Sequence, residues 1–230
     1  MKAKEIIDKL KEKANSENLE RMKKFGINPK NTLGVFMPEI RKIAKDIGKN
    51  HELALNLWNS RIHEARILAG LIDEKEKITK EQMDKWAREF DSWDVCDYAC
   101  MNLFHKTKWA FEKATEWTKK QEEFYKRAGF ALIASLCIHD KKSPNSRFED
   151  FFEDIRRECC DNRNYVKKSV NWALRQIGKR NLLLNKKAIK VAEEILKIEN
   201  KTAKWIARDT LRELKSKAVK KRILDKSHSL

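Results

Sequence analysis

The sequence predicts an all-α fold of stacked helical pairs, and three observations carry that expectation. Apolar residues recur at roughly 100° per residue nearly end to end, the period of an amphipathic helix. Six Gly and three Pro in 230 residues are too few for the turns that many short strands need. A degenerate pattern, a basic residue followed by an apolar helix, recurs along the chain. It begins at His63-Glu-Ala-Arg-Ile-Leu-Ala-Gly-Leu-Ile, Tyr125-Lys-Arg-Ala-Gly-Phe-Ala-Leu-Ile, Val166-Lys-Lys-Ser-Val-Asn-Trp-Ala-Leu and Ala203-Lys-Trp-Ile-Ala-Arg-Asp-Thr-Leu. The last three are spaced by about forty residues, the period of HEAT-type helical pairs. Such pairs stack into a HEAT-like solenoid whose inner helices line one concave, basic face. An ordinary helical bundle with similar amphipathic helices is the alternative.

Taken in order, helices are expected over about 2–14, 16–25, 38–48, 51–59, 62–73, 79–89 and 92–105, then over 108–119, 121–138, 146–159, 163–178, 186–198 and 200–215, with a basic tail helix to about 225. Asn28-Pro29 marks a loop after the second helix, and Pro38 suits the first turn of the third. Asp91 or Ser92 is placed as N-cap of the helix that starts near 92. Ser143-Pro144-Asn145 marks a second loop. No Ser/Gly/Pro-rich linker divides the chain, so residues 1–230 are expected to form a single domain, with a basic C-terminal helix or tail from about 215.

Hydrophobic residues make up 41% of the chain, enough for a core. Against 35 Asp+Glu stand 52 Lys+Arg, a formal charge of +17, which favours a phosphate-bearing polyanion over an acidic small molecule. The N-terminal Met-Lys-Ala-Lys-Glu-Ile-Ile-Asp-Lys-Leu has no apolar core of signal-peptide length, and the longest apolar run, 128–138, is too short to span a bilayer. A cytoplasmic, monomeric protein with no membrane contact is expected. The cysteines Cys96, Cys100, Cys137, Cys159 and Cys160 form no pair of Cys-x-x-Cys units. Cys96 and Cys100 with His105 could hold a metal on a generous reading, but reduced packing thiols are expected, with no metal and no cofactor.

On a helical wheel of residues 163–179, Val166, Val170, Ala173, Leu174 and Ile177 form one apolar stripe. Trp172 falls almost opposite, on the face of Lys168, Arg175 and Lys179. An indole set in a basic strip suits a surface that meets nucleic acid. The other candidate is Asp91-Ser92-Trp93-Asp94-Val95-Cys96-Asp97, where Trp93 and Asp97 lie four apart on one helical face. The helix continues as Tyr98-Ala99-Cys100-Met101-Asn102-Leu103-Phe104, so a carboxylate at Asp97 needs a cationic partner or a functional reason. Catalysis and a structural ion pair, for example with Arg127, both remain open from the residues alone.

The chain carries no Ser-His-Asp set, P-loop, metal-ligand spacing or dinucleotide fingerprint. One carboxylate, two indoles and many cations suit a reaction in which a base departs from a sugar. Positive charge then grows at the anomeric carbon, where a carboxylate stabilises it and indole faces add cation–π attraction. An alkylated, cationic base leaves as a neutral molecule, so no general acid is required.

These residues resemble the AlkD-type alkylpurine DNA glycosylases, the HEAT-like-repeat family of DNA alkylation repair enzymes. The similarity runs from Gly34-Val-Phe-Met-Pro-Glu-Ile-Arg41 to about Arg180. Trp93-Asp-Val-Cys-Asp97 resembles the family's Trp-Asp-x-x-Asp element, which implies that Asp97 is the catalytic carboxylate. Lys126-Arg127-Ala128 resembles the Arg-Ala element, which implies that Arg127 contacts the DNA backbone. Asn171-Trp172-Ala173-Leu174-Arg175 resembles the segment carrying the second active-site Trp. The resemblance implies excision of cationic N3- or N7-alkylated purines from duplex DNA, with Trp93 and Trp172 against the deoxyribose. Lys168, Arg175 and Lys179 are expected to contact the DNA backbone, with Lys167, Arg163 and Arg180 as further cations of the same kind. Ser92 departs from the pattern, since some members carry Trp before the Trp93 position, which thins the aromatic wall. Rival expectations are a DNA- or RNA-binding solenoid without catalysis and a scaffold for an acidic protein.

Overall fold

A computed structural model describes residues 2–227, all of whose regular elements are helices. Contacts divide the described residues into two compact units, with the boundary between Trp109 and Ala110.

The first unit contains α1 (Ala3–Glu12), α2 (Ser16–Lys24), α3 (Met37–Ile47), α4 (His51–Asn59), α5 (His63–Ile72), α6 (Lys80–Arg88) and α7 (Trp93–Asn102), followed by a 3₁₀ turn at Phe104–Lys106. Pro38 sits in the first turn of α3, where its missing N–H costs nothing. Asn15, Asn50 and Thr79 cap α2, α4 and α6, each accepting a backbone N–H three residues on. At the centre is α5, which packs against α1, α3, α4 and α7. Surrounded in this way, it buries His63, Glu64 and Arg66 as well as all its apolar residues but Leu71. Beneath α4 and α6, the Trp58 and Trp86 rings stack at 3.9 Å, with Phe90 and Phe104 against them.

The loop between α2 and α3 is fixed by one carboxylate. Glu64, fully buried, accepts from the backbone N–H groups of Leu33, Gly34 and Val35 at 2.7–3.2 Å. Gly34 has φ +77°, and a Cβ there would lie 2.1 Å from the Asn15 carbonyl oxygen. No other residue fits without moving the backbone.

The second unit contains α8 (Ala110–Trp117), α9 (Glu123–His139), α10 (Asn145–Glu149), α11 (Phe151–Glu158), α12 (Asn164–Gly178), α13 (Leu182–Leu196), α14 (Lys201–Leu214) and α15 (Lys217–Ser227). Here the repeat seen in the sequence becomes a row: α9 packs on α12, and α12 on α14. Outer partners are α8 on α9, α11 on α12 and α13 on α14. Equivalent positions meet across the row, as when Asn171 Nδ2 donates to Asp209 and Arg175 to Glu213, both 38 residues apart. Every residue of α9 from Tyr125 to Cys137 is buried. Gly129 lets α9 approach α8 closely, since a Cβ would stand 2.5 Å from the Thr118 nitrogen.

The expected elements are present, with two corrections. The helix expected over 146–159 divides at Asp150, which closes α10 and opens α11. The helix expected from 186 begins at Leu182, because Asn181 accepts from the Leu184 N–H and so starts it earlier. Leu182 and Leu183 are about half exposed, which hides that first turn from a search for buried periodicity. No helix among the described residues is long and apolar enough to cross a membrane.

Candidate active site and nucleic-acid interface

In the first unit, Ser92 occupies the N-cap position of α7 but spends its hydroxyl elsewhere. Its Oγ donates to Asp94 Oδ1 at 2.6 Å, and the Val95 N–H donates to the same oxygen. The other Asp94 oxygen meets His63 Nε2 at 2.9 Å, joining α7 to α5. Burial opposes charge on both partners, yet their mutual hydrogen bond and attraction outweigh it. The His63 pKa is raised and that of Asp94 is lowered. Trp93 Nε1 donates to the Phe25 carbonyl at 3.1 Å, and the Asn28 N–H reaches Ser92 Oγ at 3.4 Å. The start of α7 is thus held from two sides. On this fixed helix Trp93 and Asp97 are half-buried, one turn apart, while Asp94, Val95, Cys96, Ala99 and Cys100 are buried.

His63, Asp94 and Phe25 were not singled out by the sequence. A Ser-x-Asp at a helix start is a visible signal, but the partner histidine lies 31 residues away. No spacing rule reaches that far.

In the second unit, α12 presents the expected wheel. Val166, Val170, Ala173, Leu174 and Ile177 are buried, Trp172 is half-buried and Lys168 is exposed. With the Gln176 amide set by its hydrogen bonds, its oxygen accepts from both Trp172 Nε1 and Lys179 Nζ at 3.1 Å. The open cationic strip is only partly present. Arg175 donates to Glu213 at 2.6 Å and Lys179 to the same carboxylate at 2.7 Å. Burial works against the Glu213 charge, but Lys179 and Arg175 hold its pKa low. The acid comes from α14, one repeat further along, and so was invisible on the wheel of α12.

The remaining cations are also engaged. Arg127 on α9 is buried, and one of its terminal nitrogens donates to the Tyr165 carbonyl at 2.8 Å, tying α9 to α12. Its neighbour Lys126 forms a buried pair with Glu158 and lies 3.5 Å from Asp161. Arg163 pairs with Asp161 and donates to the Gln121 carbonyl. Arg180 donates to the carbonyls of Cys137 and Asp140, with its guanidinium over the Phe148 ring at 3.6 Å. Lys167 lies over the Trp205 ring at 5.6 Å. Structure therefore brings Arg127, Trp172 and the α12 cations into one unit and leaves Lys168 the most available of the charges.

Cys96 and Cys100 are buried thiols on α7, and His105 Nδ1 meets the Cys100 carbonyl at 3.1 Å. No group of three or more His, Cys, Asp or Glu side chains suited to a metal ion occurs among the described residues.

A sequence model of the DNA alkylation repair enzyme family matches residues 6–214. The chain belongs to that family. Two uncharacterized proteins, from Listeria innocua and Listeria monocytogenes, are each 24% identical over 168 residues, covering 72% of this chain and 73% of theirs. One solved structure superposes with a TM-score of 0.77 at 20% identity, covering 93% of this chain and 95% of its own. It is described as a new family of proteins related to the HEAT-like repeat DNA glycosylases, with affinity for branched DNA structures. At that identity the likeness shows the fold alone, a HEAT-like helical repeat.

Proposed function

We propose that the chain is a DNA glycosylase that hydrolyses the N-glycosidic bond of cationic N3- or N7-alkylated purines in duplex DNA. The observation that carries this reading is α7. Half of this helix is buried, and its partly exposed residues, Trp93, Asp97, Tyr98, Met101 and Asn102, include an indole and a carboxylate one turn apart, Trp93 and Asp97. As the C1′–N bond breaks, its electrons leave with the base, which departs neutral. Asp97 stabilises the sugar cation and orients the water that adds at C1′, releasing one proton. Trp93 and Trp172 supply aromatic faces for the deoxyribose. Lys168 serves the backbone as it stands, while Arg127, Arg175, Lys179, Lys167, Arg163 and Arg180 do so only by leaving the partners described above. The reaction draws on no cofactor, and a monomer in the cytoplasm suffices for it.

Membership of a DNA alkylation repair family supports the substrate class. A second reading, binding of DNA without excision, is favoured by the branched-DNA affinity ascribed to the structural relative. Release of free 7-methylguanine from methylated duplex DNA separates the two. Release above the spontaneous rate supports excision, and binding without release supports the second reading. Matched duplexes carrying hypoxanthine or uracil should yield little free base, since these neutral bases need protonation to leave.

A further inference from the structure

A small cavity of about 280 Å³ in the first unit is lined by Lys30, Asn31, Arg61, Arg66, Glu89 and Asp91. From it the geometry points to a binding site for one DNA backbone phosphate, formed by Lys30 and Arg61 at its mouth over a floor set by Arg66. This rests on the reading of the chain as a DNA-binding protein, and it supplies a backbone contact beside α7 within the first unit.

Four observations support it. Asn31 and Arg61, with φ 58° and 59°, are the two non-glycine residues in the left-handed region among the described residues, and both line this cavity. Asparagine tolerates that region, but arginine does so rarely, so the local structure forces Arg61 there. The two turns are pinned together where the His63 N–H donates to the Asn31 carbonyl at 2.9 Å.

The charges do not balance within the protein. Arg66 is buried, and one terminal nitrogen donates to the Glu89 carbonyl and to Asp91 Oδ1, each at 3.2 Å. Its Nε is buried without a hydrogen-bond partner among the described residues. The Glu89 carboxylate accepts from Trp58 Nε1 at 2.6 Å. Both carboxylates are thus already held, whereas Lys30 and Arg61 are exposed and form no ion pair among the described residues. Three cations against two carboxylates leave one positive charge, which one phosphodiester neutralises. Burial foremost, with the nearby Arg61 charge adding to it, lowers the Arg66 pKa despite Asp91 and Glu89; a bound anion relieves that strain.

Lastly, the cavity adjoins the candidate catalytic helix. Asp91 lines it and precedes Trp93 by two residues, and Asn28, in the same loop as Lys30, donates to the Asp91 carbonyl. A phosphate held here keeps the strand next to the Trp93 indole.

The test is the salt dependence of binding to an undamaged, fluorescent duplex, using the full chain. Lys30→Ala combined with Arg61→Asn, which keeps a residue tolerant of positive φ, should weaken binding. The slope of log K against log salt should fall by about 0.9, one phosphate's worth. Lys186→Ala with Lys190→Ala on α13 makes the same charge change and should leave the slope unaltered. An unchanged slope in the first pair, or an equal loss in both pairs, overturns the site. If the double variant melts below the assay temperature, Lys30→Ala alone, at an exposed position, must still flatten the slope. Because the duplex carries no lesion, failure of base excision leaves this result standing, and normal excision with an unchanged slope removes only the phosphate site.

Discussion

Helices α7 and α12 carry the two candidate indoles, and the molecule holds them by opposite means. Under α7 lies a buried polar network in which His63, Ser92 and Asp94 satisfy one another. Beside it, Glu64 gathers the loop N–H groups from Leu33 to Val35. By contrast, α12 rests on an apolar stripe, and its polar contacts, Asn171 with Asp209 and Arg175 with Glu213, follow the repeat. A helix in a regular row needs only its neighbours to be placed. The start of α7 is placed by hydrogen bonds whose directionality fixes the residues beside Trp93, at the cost of burying charge.

The sharpest way to break this contrast is His63→Ala. It leaves Asp94 buried without its partner, and stability should fall by about 3–5 kcal/mol, measured by urea unfolding. A loss no larger than that of an ordinary surface change would mean that the network places nothing. The pH dependence has a definite sign. Because the folded His63 pKa is raised, its stabilisation is complete below its ordinary pKa of 6.5 and is lost as pH rises through the folded value. Asp94, held low, loses its contribution only as pH falls through its own depressed value. The stability gap between the wild type and His63→Ala should therefore be widest below pH 6.5 and narrow as the pH rises above it, through the raised value of the folded His63.

Next comes Asp97→Asn, which tests what the fixed helix is for. Excision of 7-methylguanine should drop by about 10²–10³ while duplex affinity is retained. Near-normal release would remove Asp97 from catalysis.

Within the second unit, Trp172→Ala should destabilise by about 1 kcal/mol, against about 3–5 kcal/mol for the fully buried Trp117. Calorimetry on the two variants decides whether Trp172 is interface or core; equal losses would make it core. The smallest stability change is expected for Glu213→Gln, within about 1 kcal/mol, since the pair is partly exposed. It removes the one carboxylate charge that Arg175 and Lys179 share, and duplex binding should become tighter and more salt-dependent. No gain in binding would place the DNA away from α12.

Much of the fold was legible because helical periodicity and capping are local. Apolar spacing located nearly all the helices, and the spacing of Tyr125, Val166 and Ala203 announced the row formed by α9, α12 and α14. The missed details are also local in origin: Asp150 interrupts a periodic stretch, and the exposed Leu182 and Leu183 conceal a helix start that Asn181 caps. The candidate site was legible as residue types on one helix face, Trp93 with Asp97 and Trp172 with Lys168.

By itself, then, the sequence determined the helices, their repeat and the indole–carboxylate face of α7, since each depends on residues within one or two turns of each other. Tertiary structure decided which charges are spent. It gave Glu213 to Arg175 and Lys179, the Tyr165 carbonyl to Arg127 and Asp94 to His63, and left Lys30 and Arg61, around one cavity, without an ion pair among the described residues. Formal charge sums over the chain, but a cation's availability depends on what stands within a few ångströms of it. In this chain those partners lie some thirty to forty residues away, beyond the reach of any helical wheel.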